Sequence, residues 1–334
     1  MKSSNLIFIL MLFCSLSLMT GCKSKTPKIG ILLHSYENER WIKDKNYLVE
    51  DLTRQGAEVL LEVADNDQNK QIEQARLSIK NGAEVLIVVP INQDAAAKIV
   101  ELAHESGVKV IAYDRLINGC KLDYYVSANS NEIGALQSSY LVSLKPKGKY
   151  GLICGSKFDN NSMRLFLGQM SVLQPYMEKG DIQLVYSEFT ENWTSAEGSL
   201  HANRIFDQNP DTINAIICGN DAIADGVLAV LKERGLDGEV MVAGQDAELD
   251  NVKAIINGTQ TCTILKPLKE MAQATAELAV SLALEKPLNM KFTLESNGKS
   301  LVKSILIDAT VVNKNNIEST IIASGYHTAA DLNK

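Results

Sequence analysis

Gln55-Gly56-Ala57-Glu58-Val59-Leu60 recurs further along the chain as Asn81-Gly82-Ala83-Glu84-Val85-Leu86. In each phrase a glycine closes one amphipathic stretch and an apolar run opens after it. Glycine reaches the left-handed backbone that ends a helix at little steric cost, so each phrase reads as a helix stop feeding a strand. The repeat is a pair of successive strand–helix units, not a solenoid array. Outward from it, residues 29–33, 57–63, 85–89 and 108–112 are Val-, Ile- and Leu-rich runs of the kind buried on both faces of a parallel sheet. Between them, Ile72, Ala75 and Ile79, then Ala96, Ile99, Val100 and Ala103, recur at helical spacing. The alternation resumes after Asn129, with strands expected at 150–154, 182–186, 215–218 and 240–243. Parallel strands with helical crossovers predict an α/β protein of two lobes, each a doubly wound parallel sheet. No Pro/Gly/Ser-rich linker separates the series. Short crossings are expected instead, with strands near 261–265 and 301–307 flanking a last long helix at about 270–284.

The chain has 334 residues, 46% hydrophobic and 22% charged, a globular balance that excludes a disordered chain or a multi-span membrane protein. A formal net charge of −7 without Lys/Arg runs argues against nucleic acid as a partner. His34, His104, His201 and His327 are too scattered to form a His-based metal motif, and no metal or cofactor is expected.

Lys2 precedes an apolar run from Leu6 to Phe13 that continues to Met19-Thr20-Gly21-Cys22. The run is short for a bilayer span and has the form of a secretory signal. Gly21-Cys22 resembles a bacterial lipobox, which implies cleavage after residue 21, lipidation of Cys22 and a tether over 22–27. Acylation would give a firm membrane anchor. Cys14 would leave with the signal. Cys120, Cys154, Cys218 and Cys262 contain no C-x-x-C pattern, and Cys154 and Cys218 lie in strand-like runs that read as buried hydrophobes. A disulfide among the four is neither indicated nor excluded by their spacing.

In open α/β sheets, ligands bind beyond the carboxyl ends of the strands. The polar residues at those ends form a set: Asn38-Glu39-Arg40-Trp41, Asp114-Arg115, Asp159-Asn160-Asn161, Asn192-Trp193, Asn220-Asp221, Asp246 and Lys266. Carboxylates, amides, cations and both tryptophans suit a sugar, whose hydroxyls need fixed partners and whose C–H faces suit flat aromatics. Bland readings stand beside these. Asn220-Asp221 would cap a helix, with Asp221 the expected cap. Asp114-Arg115 would pair within a turn, and Trp193 would be core or rim. Asp65-Asn66-Asp67 begins like a calcium loop but lacks its Gly and terminal Glu, so it reads as a solvated turn. G-x-G-x-x-G, G-x-x-x-x-G-K-[ST] and G-x-S-x-G are all missing, and nothing requires an enzyme.

At these residues the chain resembles the periplasmic sugar-binding proteins of ABC importers, the ribose/galactose-type group. The shared phrases run through nearly the whole mature chain. They include Glu39-Arg40-Trp41 with Lys43-Asp44, Ala112-Tyr113-Asp114-Arg115, Asp159-Asn160-Asn161, Gly244-Gln245-Asp246-Ala247, Gly258-Thr259-Gln260-Thr261, Lys266-Pro267 and Val312-Asn313-Lys314-Asn315-Asn316-Ile317. Arg40-Trp41 with Lys266-Pro267 points to the xylose type. The stretches Tyr36-Glu37-Asn38 and Glu191-Asn192 depart from the group's pattern.

The resemblance implies a type I periplasmic binding protein with a three-strand hinge. Residues 28–128 plus 267–298 would form the N-terminal lobe, and 129–266 plus 299–330 the C-terminal lobe. Arg40, Trp41, Asp114 and Arg115 would supply one wall of a sugar site. Asn160 or Asn161, Trp193, Asn220, Asp246 and Lys266 would supply the other wall and the hinge side, with Trp41 and Trp193 sandwiching the ring. The implied ligand is a monosaccharide, a pentose and D-xylose in particular. The implied partner is an ABC permease, reached by a monomer held to the membrane by its lipid. The alternative is a sugar sensor signalling to a membrane histidine kinase. A repressor core is disfavoured by the secretion signal and the missing helix-turn-helix.

Overall fold

The computed structural model describes residues 25–209 and 213–333. The expected signal peptide and residues 22–24 of the tether, Cys22 among them, lie outside the described residues. Two parallel sheets form the frame. The first runs β2 (Glu58–Val63), β1 (Lys28–Leu33), β3 (Val85–Val88), β4 (Lys109–Tyr113), β5 (Tyr124–Ala128), β12 (Leu301–Ile307) and β11 (Thr293–Ser296). Only β11 is antiparallel to its neighbour. The second sheet runs β7 (Ile182–Thr190), β6 (Gly148–Ser156), β8 (Ala215–Cys218) and β9 (Met241–Ala243), all parallel. A bridge from Ala243 to Cys262 carries it towards the antiparallel ribbon of β10 (Thr263–Leu265) and β13 (Thr310–Val312).

The phrases quoted at the outset behave as read. Gly56 and Gly82 stand at φ 81° and 89°. Each follows a helix, α1 (Glu39–Arg54) and α2 (Gln68–Lys80), and precedes β2 and β3 respectively. Every residue of β3 and β8 is buried, as the continuous apolar runs predict for strands covered on both faces. In the 65–67 turn, Asp65 and Asn66 take positive φ, and Asp67 caps α2 by accepting from the amides of Asn69 and Lys70.

The chain passes between the sheets three times. It leaves β5 for α4 (Ser130–Leu144), whose Leu141 and Val142 pack in the second core with Tyr150 and Leu152. After β10 it enters α9 (Leu268–Ala283), which packs in the first core with Leu48 and Leu52 of α1. It crosses last between β12 and β13. The amide of Asn129 donates to the carbonyl of Ile307 at 3.2 Å, tying the first crossing to the third.

One boundary differs from the sequence expectation. Residues 299–330 were assigned to the second lobe, but Leu301–Ile307 belongs to the first sheet, pairing with β5 from Lys303↔Tyr124 to Ile307↔Ala128. β5 has a mixed Tyr-Tyr-Val-Ser-Ala sequence and was not expected as a strand, so β12 had no visible partner. Cys154, Cys218 and Cys262 are buried among apolar side chains, and these three and Cys120 are free thiols. Burial pushes the Cys154 thiol up to about 12.

Candidate functional site

Asp114 directly follows β4, and Asp246 stands just beyond β9, at matching places in the two lobes. Each amide donates to a neighbouring segment, Asp114 to the Val126 carbonyl and Asp246 to that of Ile264, both at 2.8 Å. Both residues adopt positive φ, 62° and 102°. A non-glycine residue there costs about 1–3 kcal/mol and persists only where its surroundings hold it. At Asp246 the tail does so: the Tyr326 hydroxyl donates to the Asp246 carbonyl at 2.8 Å, and His327 Nε2 lies 2.8 Å from the Ala247 carbonyl.

Two cations lie between these carboxylates. Lys266 Nζ is 3.4 Å from Oδ1 of each. Arg40 Nη1 is 2.9 Å from Asp114 Oδ1 and 3.5 Å from Asp246 Oδ1. Arg40 lies in the first turn of α1 and is 2% exposed. Its orientation is set by Asp44, one helical turn on and fully buried. Asp44 Oδ2 accepts from Nε at 2.9 Å and lies 2.8 Å from Nη2, while Oδ1 accepts from the Tyr113 hydroxyl at 2.5 Å. Burial alone would raise Asp114, but Arg40, Lys266 and Arg115 outweigh it and hold the carboxyl well below the usual range. Burial lifts Asp44 against the pull of Arg40.

Arg115 does not pair within its own turn. It reaches Asp159 across the cleft, Nε to Oδ2 at 2.9 Å, and donates to the Pro90 carbonyl at 3.3 Å. Asn161, in the first turn of α5 (Asn160–Glu178), donates through Nδ2 to the Asp114 carbonyl at 2.8 Å. Its Oδ1 accepts from Ser130 at 3.0 Å. Asn220 caps α7 (Asp221–Glu233), accepting from the Ile223 amide at 3.0 Å. The expected cap, Asp221, is instead the first helical residue. It is a buried acceptor for Thr263, Gln260 and the Glu248 amide.

Trp41 is buried, with the Arg40 guanidinium 4.1 Å from its ring centroid, that of Arg115 at 5.3 Å and the His34 ring edge-on at 4.4 Å. Trp193 is half-buried and lies against Gly155, where any β-carbon would overlap the indole. Trp193 Nε1, Asp246 Oδ1 and Gln245 Oε1 are buried and accept or donate no hydrogen bond.

Arg40, Trp41, Asp114, Arg115, Asn161, Trp193, Asn220, Asp246 and Lys266 therefore line one interlobe pocket. Asn160 does not. It faces along α5 and accepts from Arg164 Nε at 2.5 Å, because consecutive helical residues point in different directions. Asn38, Asp159 and Gln245 complete the lining. Asn38, Asp159, Gln245 and the supporting Asp44 all stood within phrases already singled out, but none of them was named as a site residue. The Arg-Asp spacing of one helical turn is the signal that would have found Asp44. The space enclosed is small, about 20 Å³. A ring entering it must part the lobes and take over contacts now made by Arg40 and Lys266. The buried charges nearly balance, with Asp44, Asp114, Asp159 and Asp246 against Arg40, Arg115 and Lys266. Such a site suits an uncharged ligand rich in hydroxyls.

The family model described as "Periplasmic binding protein domain" matches residues 29–287. The chain is 36% identical over 326 residues to a D-xylose-binding periplasmic protein of Escherichia coli, covering 97% of this chain and 98% of that one. It is 36% identical to the Haemophilus influenzae protein of the same name over 313 residues, covering 94% of each. A solute binding protein of an ABC transporter from Clostridium phytofermentans, solved with bound β-D-glucose, superposes with a TM-score of 0.85 at 26% identity. That match covers 91% of this chain and 99% of that chain. These relatives are substrate-binding proteins, not enzymes.

Two predictions follow from the buried network. Asp44→Asn leaves Arg40 without its anchoring charge and should destabilise the fold by about 3–5 kcal/mol. Tyr113→Phe, which removes one bond to that carboxylate, should cost about 1.5–3 kcal/mol. Urea unfolding of both variants checks this ranking, and equal costs would contradict it. The second concerns Glu248, whose carboxyl is pushed up to about 8 by burial and by nearby Asp246, Asp225 and Glu39. An unfolded glutamate ionises near pH 4.3, so between about pH 4.5 and 8 unfolding releases a proton and rising pH lowers stability. Glu248→Gln should flatten the fall in Tm from pH 5 to pH 8; parallel profiles would refute the assignment.

Proposed function

This chain belongs to the periplasmic binding protein family, and from that membership we propose that it captures a monosaccharide, D-xylose, between its lobes and delivers it to an ABC importer. The observation that carries the sugar reading is the Asp114–Arg40–Lys266–Asp246 cluster. One carboxylate comes from each lobe, and Asp246 Oδ1 has no hydrogen-bond donor. A pentose hydroxyl supplies that donor, and Arg40, Arg115 and Lys266 supply hydroxyl partners in return. Asn161 and Asn220 extend the set, and Trp41 and Trp193 take the C–H faces. The names of the two relatives support xylose among sugars.

A ligand touching both lobes stabilises their closed arrangement by its differential affinity, and closure is the signal an importer reads. The lipobox-like Gly21-Cys22 supports acylation of Cys22, which would keep a monomeric receptor beside its permease.

A thermal-shift screen of the chain against pentoses and hexoses tests the ligand. D-xylose at a hundredfold excess over Kd should add about 2.7 kcal/mol of stability. The gain should vanish in Trp193→Ala and Asp246→Ala. A gain with a different sugar alone would overturn xylose, and no gain with any sugar would overturn the sugar reading. Cys22→Ser should move the protein from the membrane fraction to the soluble fraction; an unchanged distribution would refute the anchor.

A further inference from the structure

After β13 the chain packs against the second lobe and forms a short helix, α10 (Ala329–Leu332), opened by a capping box. Thr328 Oγ1 accepts from the Asp331 amide at 3.2 Å, and Asp331 Oδ2 accepts from the Thr328 amide at 3.3 Å. Tyr326 and Leu332 pack on a small core of Ala247, Val252, Ile255, Ile317 and Ile321, in which Val252 and Ile255 belong to α8 (Leu249–Asn257). With the Tyr326 and His327 bonds to the carbonyls of Asp246 and Ala247, this packing roots the segment in the second lobe.

From that root the segment reaches the first lobe. Lys43 of α1 stands over it, with Nζ 4.1 Å from the Tyr326 ring centroid and 3.2 Å from His327 Nδ1. The Ala247 carbonyl can only accept, so His327 carries its proton on Nε2, and Nδ1 is left to accept from the Lys43 ammonium. Burial holds the imidazole below its usual range, in keeping with a neutral ring there. Glu39, one helical turn before Lys43, pairs with the ammonium at 2.9 Å and accepts from the Leu249 amide at 3.1 Å. Lys43 thus meets an aromatic face and an imidazole nitrogen of the second lobe, and a carboxylate of its own helix. Lys43, Glu39, Tyr326 and His327 all stand outside the lining of the inner pocket.

We infer that Tyr326 and His327 form an interlobe latch, which engages Lys43 as the lobes close and retains the ligand from outside its pocket. A contact made only in the closed arrangement raises apparent affinity by the factor it adds to the closed population, whatever the ligand itself touches. Tyr326 gives the latch a link to the site, because the ring that receives Lys43 carries the hydroxyl that donates to the Asp246 carbonyl. Closure over Lys43 therefore orders the residue that holds the strained backbone of the second lobe's carboxylate. The latch rests on the reading that a sugar closes the lobes.

Stopped-flow tryptophan fluorescence of the full chain with D-xylose tests it. Lys43→Met keeps the aliphatic stem and removes the charge. It should raise Kd about fivefold, through faster dissociation, with the association rate held within about twofold. The melting temperature of the unliganded chain should not move, while the rise on adding D-xylose should shrink. Tyr326→Phe keeps the ring beneath Lys43, so the fivefold step should persist in that background. With Tyr326→Leu and His327→Leu combined, the step should disappear. An unaltered dissociation rate in Lys43→Met would overturn the latch and leave the sugar reading intact. So would an equal loss of melting temperature with and without sugar, which marks a merely structural contact. Binding of no sugar by the unsubstituted chain would overturn the sugar reading and the latch with it.

Discussion

The salt-bridge cluster between the lobes is the constraint on which the rest of the structure depends. Arg40 and Lys266 each lie within 3.5 Å of Asp114 and Asp246, and all four side chains are buried. Burying such charges costs several kcal/mol per ion, and their attraction repays it only where geometry and hydrogen bonding are good. Here the geometry is uneven. The Arg40–Asp114 contact is short, within one lobe, and reinforced by Asp44. The Arg40–Asp246 contact across the cleft is long, at 3.5 Å, and Lys266 stands 3.4 Å from both carboxylates. The first lobe thus builds a rigid half-site, while the second contributes a carboxylate whose Oδ1 is short of donors. The weak side of the cluster is the side a ligand can improve.

Backbone and tail fix that asymmetry. Both aspartates sit where a strand ends in a left-handed residue, and both amides are held at 2.8 Å by a neighbouring segment. The strain is local and small beside the burial of two sheets. It turns a carboxylate out of each strand end towards the cleft, which an extended continuation of the strand would not do. At Asp246 the segment after β13 adds a clasp through Tyr326 and His327.

Much of this was legible because strand ends are conspicuous in sequence. A Val/Ile run followed by Asp-Arg or Asn-Asp marks both the frame and the lip of the site, so the α/β lobes and nine cleft residues could be named without coordinates. What could not be read depended on partners distant in the chain. Asp44 matters because Tyr113 meets it from β4. Asn160 and Asn161 are equivalent in sequence, and only the direction of the helix sends one to Asp114 and the other to Arg164. The cap fell to Asn220 and not to Asp221, whose carboxylate accepts from the Thr263 hydroxyl on β10. The placement of β12 turned on β5, whose small and aromatic residues carry no alternating signature.

The same distinction bears on how binding and closure are coupled. Several interlobe contacts stand away from the inner pocket. The Leu249 amide donates to Glu39 at 3.1 Å, the Gln93 amide to the Phe158 carbonyl at 3.1 Å, and Arg164 pairs with Glu295 at 2.5 Å. These can form with any ligand, so they favour closure without discriminating. Discrimination must come from the centre, where a ligand exchanges the long Arg40–Asp246 contact for its own. A hydroxyl can donate to Asp246 and accept from Lys266 at once, preserving the charge balance of the cluster. With two carboxylates and two cations interleaved, the four-membered cluster carries no net charge that a charged ligand would neutralise. On the proposed reading, the same ions that hold the half-site rigid would favour a neutral polyol at the centre, and the peripheral contacts would complete the closure.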